Sequence, residues 1–500
     1  MILDFTIENY GPFRDPVTID FRPTALKDPE DGIIRSSDGK HEALCSIALF
    51  GPNASGKSRI LLALGVLSDM MRFPLPANFP IPYYMPFRLS PQTKGAPVKM
   101  SIRFVRDDVL YDYTLAFDSK MIVSESLHYS PKGERSKVFS RDRDGISTNT
   151  TPVGRSFKGI AGRVGPNSTA VSVGAQFNDE VCLKAVEEMS NVFVLAGDMN
   201  PVINETVRLM NDDPGFKELL AEAMGVADLG ISGIDGSLKE KDVMDMRGKI
   251  PNQVLGLMMA TGATRYNEMD LRMTHDVHVP GITDADRSFP YIIESNGTLR
   301  MLYIMGPVIW ALRNGGIVAA DEFGAFLDDD ICRWIVQLFS GSKNTKGAQL
   351  ILNTHDQLLM DTDGLFRRDQ IYFVSKDRAT HASSVANLSE YSIRKDFDPR
   401  KGFAQGKFGA RPKILDEGWF VDGRAQENRG QEAQDHRPCD VRGDIGEGVL
   451  RPPRAHDRQL RHNDQGLQGQ APVRDHRGMR KGSGAEGALR YRYQSRGIRS

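Results

Sequence analysis

The run Gly51-Pro52-Asn53-Ala54-Ser55-Gly56-Lys57-Ser58 sets two glycines, an ammonium and a hydroxyl at the spacing G-x-x-x-x-G-K-[ST]. Those residue types in that order suit phosphate chemistry. The glycines let the backbone curl around an anion, so that its N–H groups and the following helix N-terminus face negative charge. Lys57 would reach β- and γ-phosphates, and the Ser58 hydroxyl would ligate Mg²⁺. A glycine turn with an exposed lysine is the plainer reading. The setting argues against it, because Ser46–Phe50 is a short apolar run and Arg59–Leu67 reads as a helix, giving strand, loop, helix.

A phosphate cradle alone hydrolyses nothing, so acids and bases must come from elsewhere. Ile317-Val-Ala-Ala320 is followed by Asp321-Glu322, which sets two carboxylates at the C-terminal edge of a strand, where open α/β sheets bind ligands. Asp321 would hold Mg²⁺ through water and Glu322 would activate the attacking water as general base. Leu350–Thr354 is a second such strand, and His355 at its exit could sense a γ-phosphate. Ser295 and Gly297 open a helix and form either a second anion nest or an ordinary cap. Gln92 is a weak candidate for a further Mg²⁺ contact.

These groups need elements to carry them. Val98–Phe117 alternates as an antiparallel hairpin, with Arg106–Asp108 at its turn, and about 132–172 reads as strands with long loops. Asp213-Pro214 followed by Phe216, Leu219, Leu220, Ala223 and Met224, with Gly225 closing, marks a capped helix. Residues 175–285 read as a mostly helical insertion without a sustained heptad. Beyond Phe289 come a helix over Thr298–Arg313, the strand Gly316–Ala320, the helix Asp330–Phe339 and strands Leu350–Thr354 and Gln370–Val374. The expected fold class is α/β, a mixed sheet with flanking helices and an antiparallel lobe.

Composition constrains the rest. The 500 residues are 40% hydrophobic and 26% charged, with a net charge of -1, which suits a folded chain of two or three domains and gives no global case for nucleic acid. Cys45, Cys182, Cys332 and Cys439 form no C-x-x-C pair, so a reducing cytoplasm is expected. The amino terminus does not read as a signal peptide, and no apolar stretch has membrane-spanning length. After Asp416 the text changes: 15 arginines stand against the single lysine Lys481, and apolar periodicity stops. Residues 416–500 read as disordered, as an arginine-rich RNA-binding tail, or as out-of-frame text, the last being preferred.

The order of phosphate loop, long insertion, Ser-x-Gly-Thr before a helix, Asp-Glu after four apolar residues and Thr-His-Asp after a strand resembles the ABC-type ATPase head of SMC and overcoming-lysogenization-defect (OLD) proteins. It is most similar to the AAA ATP-binding proteins of subfamily fifteen, related to RloA. Phe5–Phe13, Glu294–Arg300, Leu365–Val374 and Arg400–Gly409 share in the likeness, which covers about 1–415. The resemblance implies a P-loop head split into 1–174 and 286–415 around the insertion. It also implies ATP and Mg²⁺ as ligands, and a head-to-head dimer in which Ser295 and Gly297 touch the γ-phosphate bound by the other copy. Asp328 falls at the position that signals across such dimers, although Phe323–Asp328 replaces the relatives' Ser-Leu-His-Pro-like run. The implied function is ATP hydrolysis by a homodimer or larger assembly that regulates a separate nuclease or toxin-like effector in anti-phage defence. DNA is a further candidate partner, and no membrane is implied. An SMC-like DNA-bound ATPase, a nucleotide-gated scaffold without turnover and a small-molecule kinase are the rivals.

Overall fold

The computed structural model describes residues 1–410 apart from 27, 29, 132, 228, 249–254, 256–263 and 394–396. The segment 416–500, with its three readings, lies outside the described residues.

The chain begins with β1 (Ile2–Glu8), β2 (Val17–Asp20), the small hairpin β3 (Ile33–Arg35) and β4 (Glu42–Leu44), and then β5 (Ser46–Phe50). The helix Lys57–Arg72 follows, and then a meander of β6 (Val98–Arg106), β7 (Val109–Phe117), β8 (Ile122–Ser130), β9 (Ser136–Asp142) and β10 (Gly145–Ser147). Strands β10-β9-β8-β7-β6-β1-β2 form a seven-stranded antiparallel sheet. The turn between β6 and β7 is Asp107-Asp108, with φ of 51° and 59°. Positive φ at both central positions matches the twist of a two-residue hairpin.

The second sheet carries the phosphate loop. It comprises β11 (Val192–Leu195), β15 (Ile317–Ala320), β16 (Gln349–Asn353), β5, β17 (Ile371–Lys376) and β18 (Ser383–Asn387), in that order. Every pair is parallel except β17 with β18. Each residue of β5, β15 and β16 is buried, which is why these strands read as unbroken apolar runs. The helix Lys57–Arg72 packs on this sheet and buries ten of its 16 residues. Gln349 joins the two sheets: its Oε1 accepts from Ile2 N–H at 2.6 Å, and its Nε2 donates to the Ile2 and Leu44 carbonyls at 3.0 and 3.1 Å.

Two expectations change. The stretch 132–172 holds a helix, Pro152–Ala161, capped by Thr151 with proline in the first turn; Val153, Phe157 and Ile160 carry its helical spacing. Among its described residues, the segment 175–285 is not mostly helical but mixes helices with strands. Helices Glu180–Ser190, Asn200–Asp212 and Pro214–Val226 are present, but β11 lies among them and pairs in register with β15. Then β12 (Ile231–Asp242) and β13 (Arg265–His275) make a long antiparallel hairpin, edged by β14 (Ser288–Pro290). A four-residue apolar run such as Val192–Leu195 has no period that separates strand from helix. In the hairpin β13 alternates Met269, Leu271 and Met273 with polar residues, while glycines break up the apolar set of β12, with Gly236 set against Val207 of the helix below. Among the described residues no helix is long and apolar enough to cross a membrane.

Candidate functional site

The cleft at the C-terminal end of the core sheet has a volume of 480 Å³ and is lined by Asn53–Arg59, Pro12, Glu322, Asn353 and His355. Gly51 and Pro52 line the adjoining hollow with Thr354 and His355. The loop needs its glycines. At Gly51 a Cβ would sit 2.2 Å from the Val374 carbonyl oxygen. At Gly56, φ is 113° and a Cβ would meet Pro12 and Phe13 at 2.9 Å. Gly56 is the residue from which the helix Lys57–Arg72 starts, with no side-chain cap, so the helix N-terminus is left to face an incoming anion.

Lys57 is buried, and its Nζ donates to the Gly51 and Pro52 carbonyls at 2.7 and 3.0 Å. Burial pushes the ammonium down to about 8, against the opposing pull of Asp321 and Glu322. The Ser58 hydroxyl donates to Asp321 Oδ1 at 2.8 Å. That hydroxyl–carboxylate pair at the mouth of an anion cradle suits Mg²⁺, which binds through one or two protein oxygens with phosphates and water filling its octahedron.

Asn353, at the end of β16, is the residue that sequence reasoning passed over. Its Nδ2 donates to Asp321 Oδ1 at 2.5 Å and its Oδ1 accepts the Glu322 N–H at 2.8 Å. Its own carbonyl accepts from Phe323 N–H at 2.8 Å. One buried amide therefore orients both carboxylate-bearing residues. A polar residue closing an apolar strand was the available signal. Glu322 has φ of 50°, a left-handed conformation that costs a non-glycine residue about 1–3 kcal/mol unless its surroundings hold it.

His355 stands exposed on the cleft wall. Burial of its ring and the neighbouring Lys57 charge lower its pKa, with Glu322 and Asp321 opposing. Both effects favour the neutral imidazole, the form with one nitrogen to donate and one to accept.

Three expected site residues do not line this cleft. The Ser295 hydroxyl accepts from Thr298 N–H at 3.1 Å and caps the helix Asn296–Asn314. Gly297 lies under the Phe326 carbonyl, 3.0 Å from where a Cβ would be. Asp328 precedes the helix Asp329–Ser340 and lines a separate groove with Leu327 and Trp334. Around Ser295 the surface carries Ile292, Ile293 and Phe326, 70%, 64% and 71% exposed. Gln92 is corrected: its Oε1 accepts from Ser90 in an exposed turn away from the cleft.

A phosphate loop after β5, an Asp-Glu pair after β15 and a strand between them, beside an antiparallel lobe, define the architecture. The fold is α/β, with a mixed core sheet, flanking helices and an antiparallel lobe, the arrangement of a P-loop nucleotide-binding head. Residues 46–199 match the family described as "AAA domain, putative AbiEii toxin, Type IV TA system". No curated protein matches the chain. Similar solved structures include the SMC head domain from Thermotoga maritima, at 13% identity and TM-score 0.34, covering 77% of this chain and 98% of that one. A further example is the Smc head with an extended coiled coil bound to the C-terminal domain of ScpA, derived from Pyrococcus furiosus. It has 11% identity and TM-score 0.37, covering 82% of this chain and 99% of that one.

Proposed function

We propose that the chain binds ATP with Mg²⁺ and hydrolyses it, and that the nucleotide-bound dimer or larger assembly regulates a separate effector protein. The observation that carries hydrolysis is the Asn353 bridge, which fixes Asp321 beside Ser58 and Glu322 beside the phosphate loop. Lys57 and the loop N–H groups bind and orient the triphosphate. Ser58 and Asp321 would hold Mg²⁺, which when bound supplies charge neutralisation at the phosphate oxygens. Glu322 takes the proton of the attacking water, and His355 donates to or accepts from the terminal phosphate or that water.

Completion by a second copy is supported by where Ser295 and Gly297 lie, outside their own chain's cleft and at an exposed helix start bordered by apolar side chains. A role in anti-phage defence, of the subfamily-fifteen kind, is supported by the motif order and by the toxin–antitoxin wording of the matched family. An SMC-like arm is disfavoured because the described residues of 175–285 form short helices and the β12–β13 hairpin instead of a long helical pair.

Glu322→Gln should retain ATP affinity and lower turnover by about 10²–10⁴-fold, while ATP drives it into a stable dimer or larger assembly. Steady-state phosphate release, nucleotide titration and light scattering after size exclusion measure the three. Wild-type turnover in this variant would refute the assignment of Glu322.

A further inference from the structure

Arg300 sits little more than one turn into the helix that Ser295 caps. Its guanidinium reaches across to the end of β15, where Nη2 donates to the Asp321 carbonyl at 2.6 Å and to the Glu322 carbonyl at 2.9 Å. The plane lies over the Tyr303 ring, 5.1 Å from its centroid, and Nε is buried without a partner among the described residues. The arginine is thus held from behind and aimed at two main-chain oxygens.

Those oxygens belong to the segment whose conformation matters most. Glu322 is left-handed, and side chains from other elements hold the peptide groups on both sides of it. Asn353 takes its N–H and Arg300 takes its carbonyl. Asn353 comes from the core sheet and has no reason to move with nucleotide across a dimer. Arg300 comes from the same rigid helix as Ser295 and Gly297. A shift of that helix end changes the reach of Nη2 to Glu322, and the rest of the turn offers the Glu322 carbonyl only the Ala325 N–H at 3.0 Å.

We infer that Arg300 is a positioning residue that ties the Ser295-x-Gly297 helix end to the Glu322 backbone, so that occupation of that end by the partner's nucleotide sets Glu322 for water activation. The inference rests on the proposed trans-completed site, but the tie itself is a property of one chain. It makes hydrolysis conditional: each protomer's Glu322 is aligned by the phosphate that the same protomer's signature contacts on the other copy. Arg300 touches no reacting atom and acts through the Asp321–Glu322 main chain.

The test uses the full chain with Arg300→Ala, Arg300→Lys and Ser295→Arg. Arg300→Ala should keep its ATP Kd within about threefold and its KM likewise, while kcat falls by about 100-fold, the scale of an ångström-sized misplacement. Amide hydrogen exchange resolves the mechanism. In wild type, ATP should slow exchange in the peptide spanning 317–327. In Arg300→Ala that peptide should exchange about tenfold faster, with no response to ATP, while the core of the helix Asn296–Asn314 stays protected. Ser295→Arg should abolish the ATP response with Arg300 in place. Arg300→Lys, which keeps a donor on a flexible stem, should recover part of kcat.

Wild-type kcat in Arg300→Ala, or unchanged exchange across 317–327, overturns the inference. So does a parallel loss of kcat, ATP affinity and thermal stability in both Arg300 variants, which marks a merely structural arginine. If the wild-type chain does not hydrolyse ATP, the hydrolysis reading fails, and the exchange comparison still decides whether Arg300 carries the signal.

Discussion

Lys57 enters the cleft with its charge weakened, because burial brings its ammonium down to about 8. A lowered lysine pKa in the folded protein means that the charged form is lost as pH rises through 8, well before an exposed lysine would lose it. Bound phosphates favour the charged form, so nucleotide binding should take up a proton. ATP affinity should hold up to pH 7.5 and then weaken by up to about tenfold per pH unit above 8. Calorimetry in buffers of different ionisation enthalpy measures the proton uptake, and an affinity flat from pH 7 to 9.5 would contradict it. The residues proposed to contact ligand were legible, because phosphate binding demands particular types at particular spacings: Gly51–Ser58, Asp321, Glu322 and His355 all announce themselves, and the structure gathers them at one cleft. Asn353 and Arg300 did not. They act on main-chain groups and on Asp321 through distances that only the folded chain defines, and either reads alone as an ordinary polar residue.

Among the elements, the helices with strong end signals were legible. Asp213 caps the helix Pro214–Val226 through the Phe216 N–H at 3.1 Å, as its Asp-Pro start implies. Strand β11 was hidden, since its identity comes from pairing with β15 and not from its own four residues. Contacts between elements were also hidden, and Gln349 is the sharpest case. Its amide imitates a strand neighbour, giving one acceptor to Ile2 N–H and donors to two carbonyls, in a fully buried position. Gln349→Leu preserves shape and leaves those groups unpaired, so unfolding free energy should drop by about 2–4 kcal/mol. Denaturant titration checks this, with a loss below about 0.5 kcal/mol counting against a role for Gln349 in joining the sheets.

For the whole molecule, the central question is whether a site belongs to one chain or two. Lys57→Ala removes the phosphate-binding half, and Ser295→Arg blocks the half offered to a partner. Each variant should be inactive alone. If sites form in trans, an equimolar mixture should regain ATP-driven association, because half the dimers are mixed and each of these holds one intact composite site, while turnover stays low because the Glu322 of that site sits on the chain whose Ser295 is blocked. Absence of ATP-driven association in the mixture, read by light scattering, would place the whole site within a single chain. The exposed Ile292, Ile293 and Phe326 beside Ser295 belong to this scale, since such side chains mean little to one copy.

The position of β5 has a consequence for how the protein is made. Its two neighbours are β16 and β17, so both edges of Ser46–Phe50 stay unpaired until about 300 further residues have left the ribosome. At about 5–20 residues per second, that interval is roughly 15–60 s. During it the strand that will carry the phosphate loop is a bare apolar segment in a crowded cell. Its protection there, by the early antiparallel lobe or by a chaperone, therefore bears on the yield of folded protein as a factor separate from the stability of the finished fold.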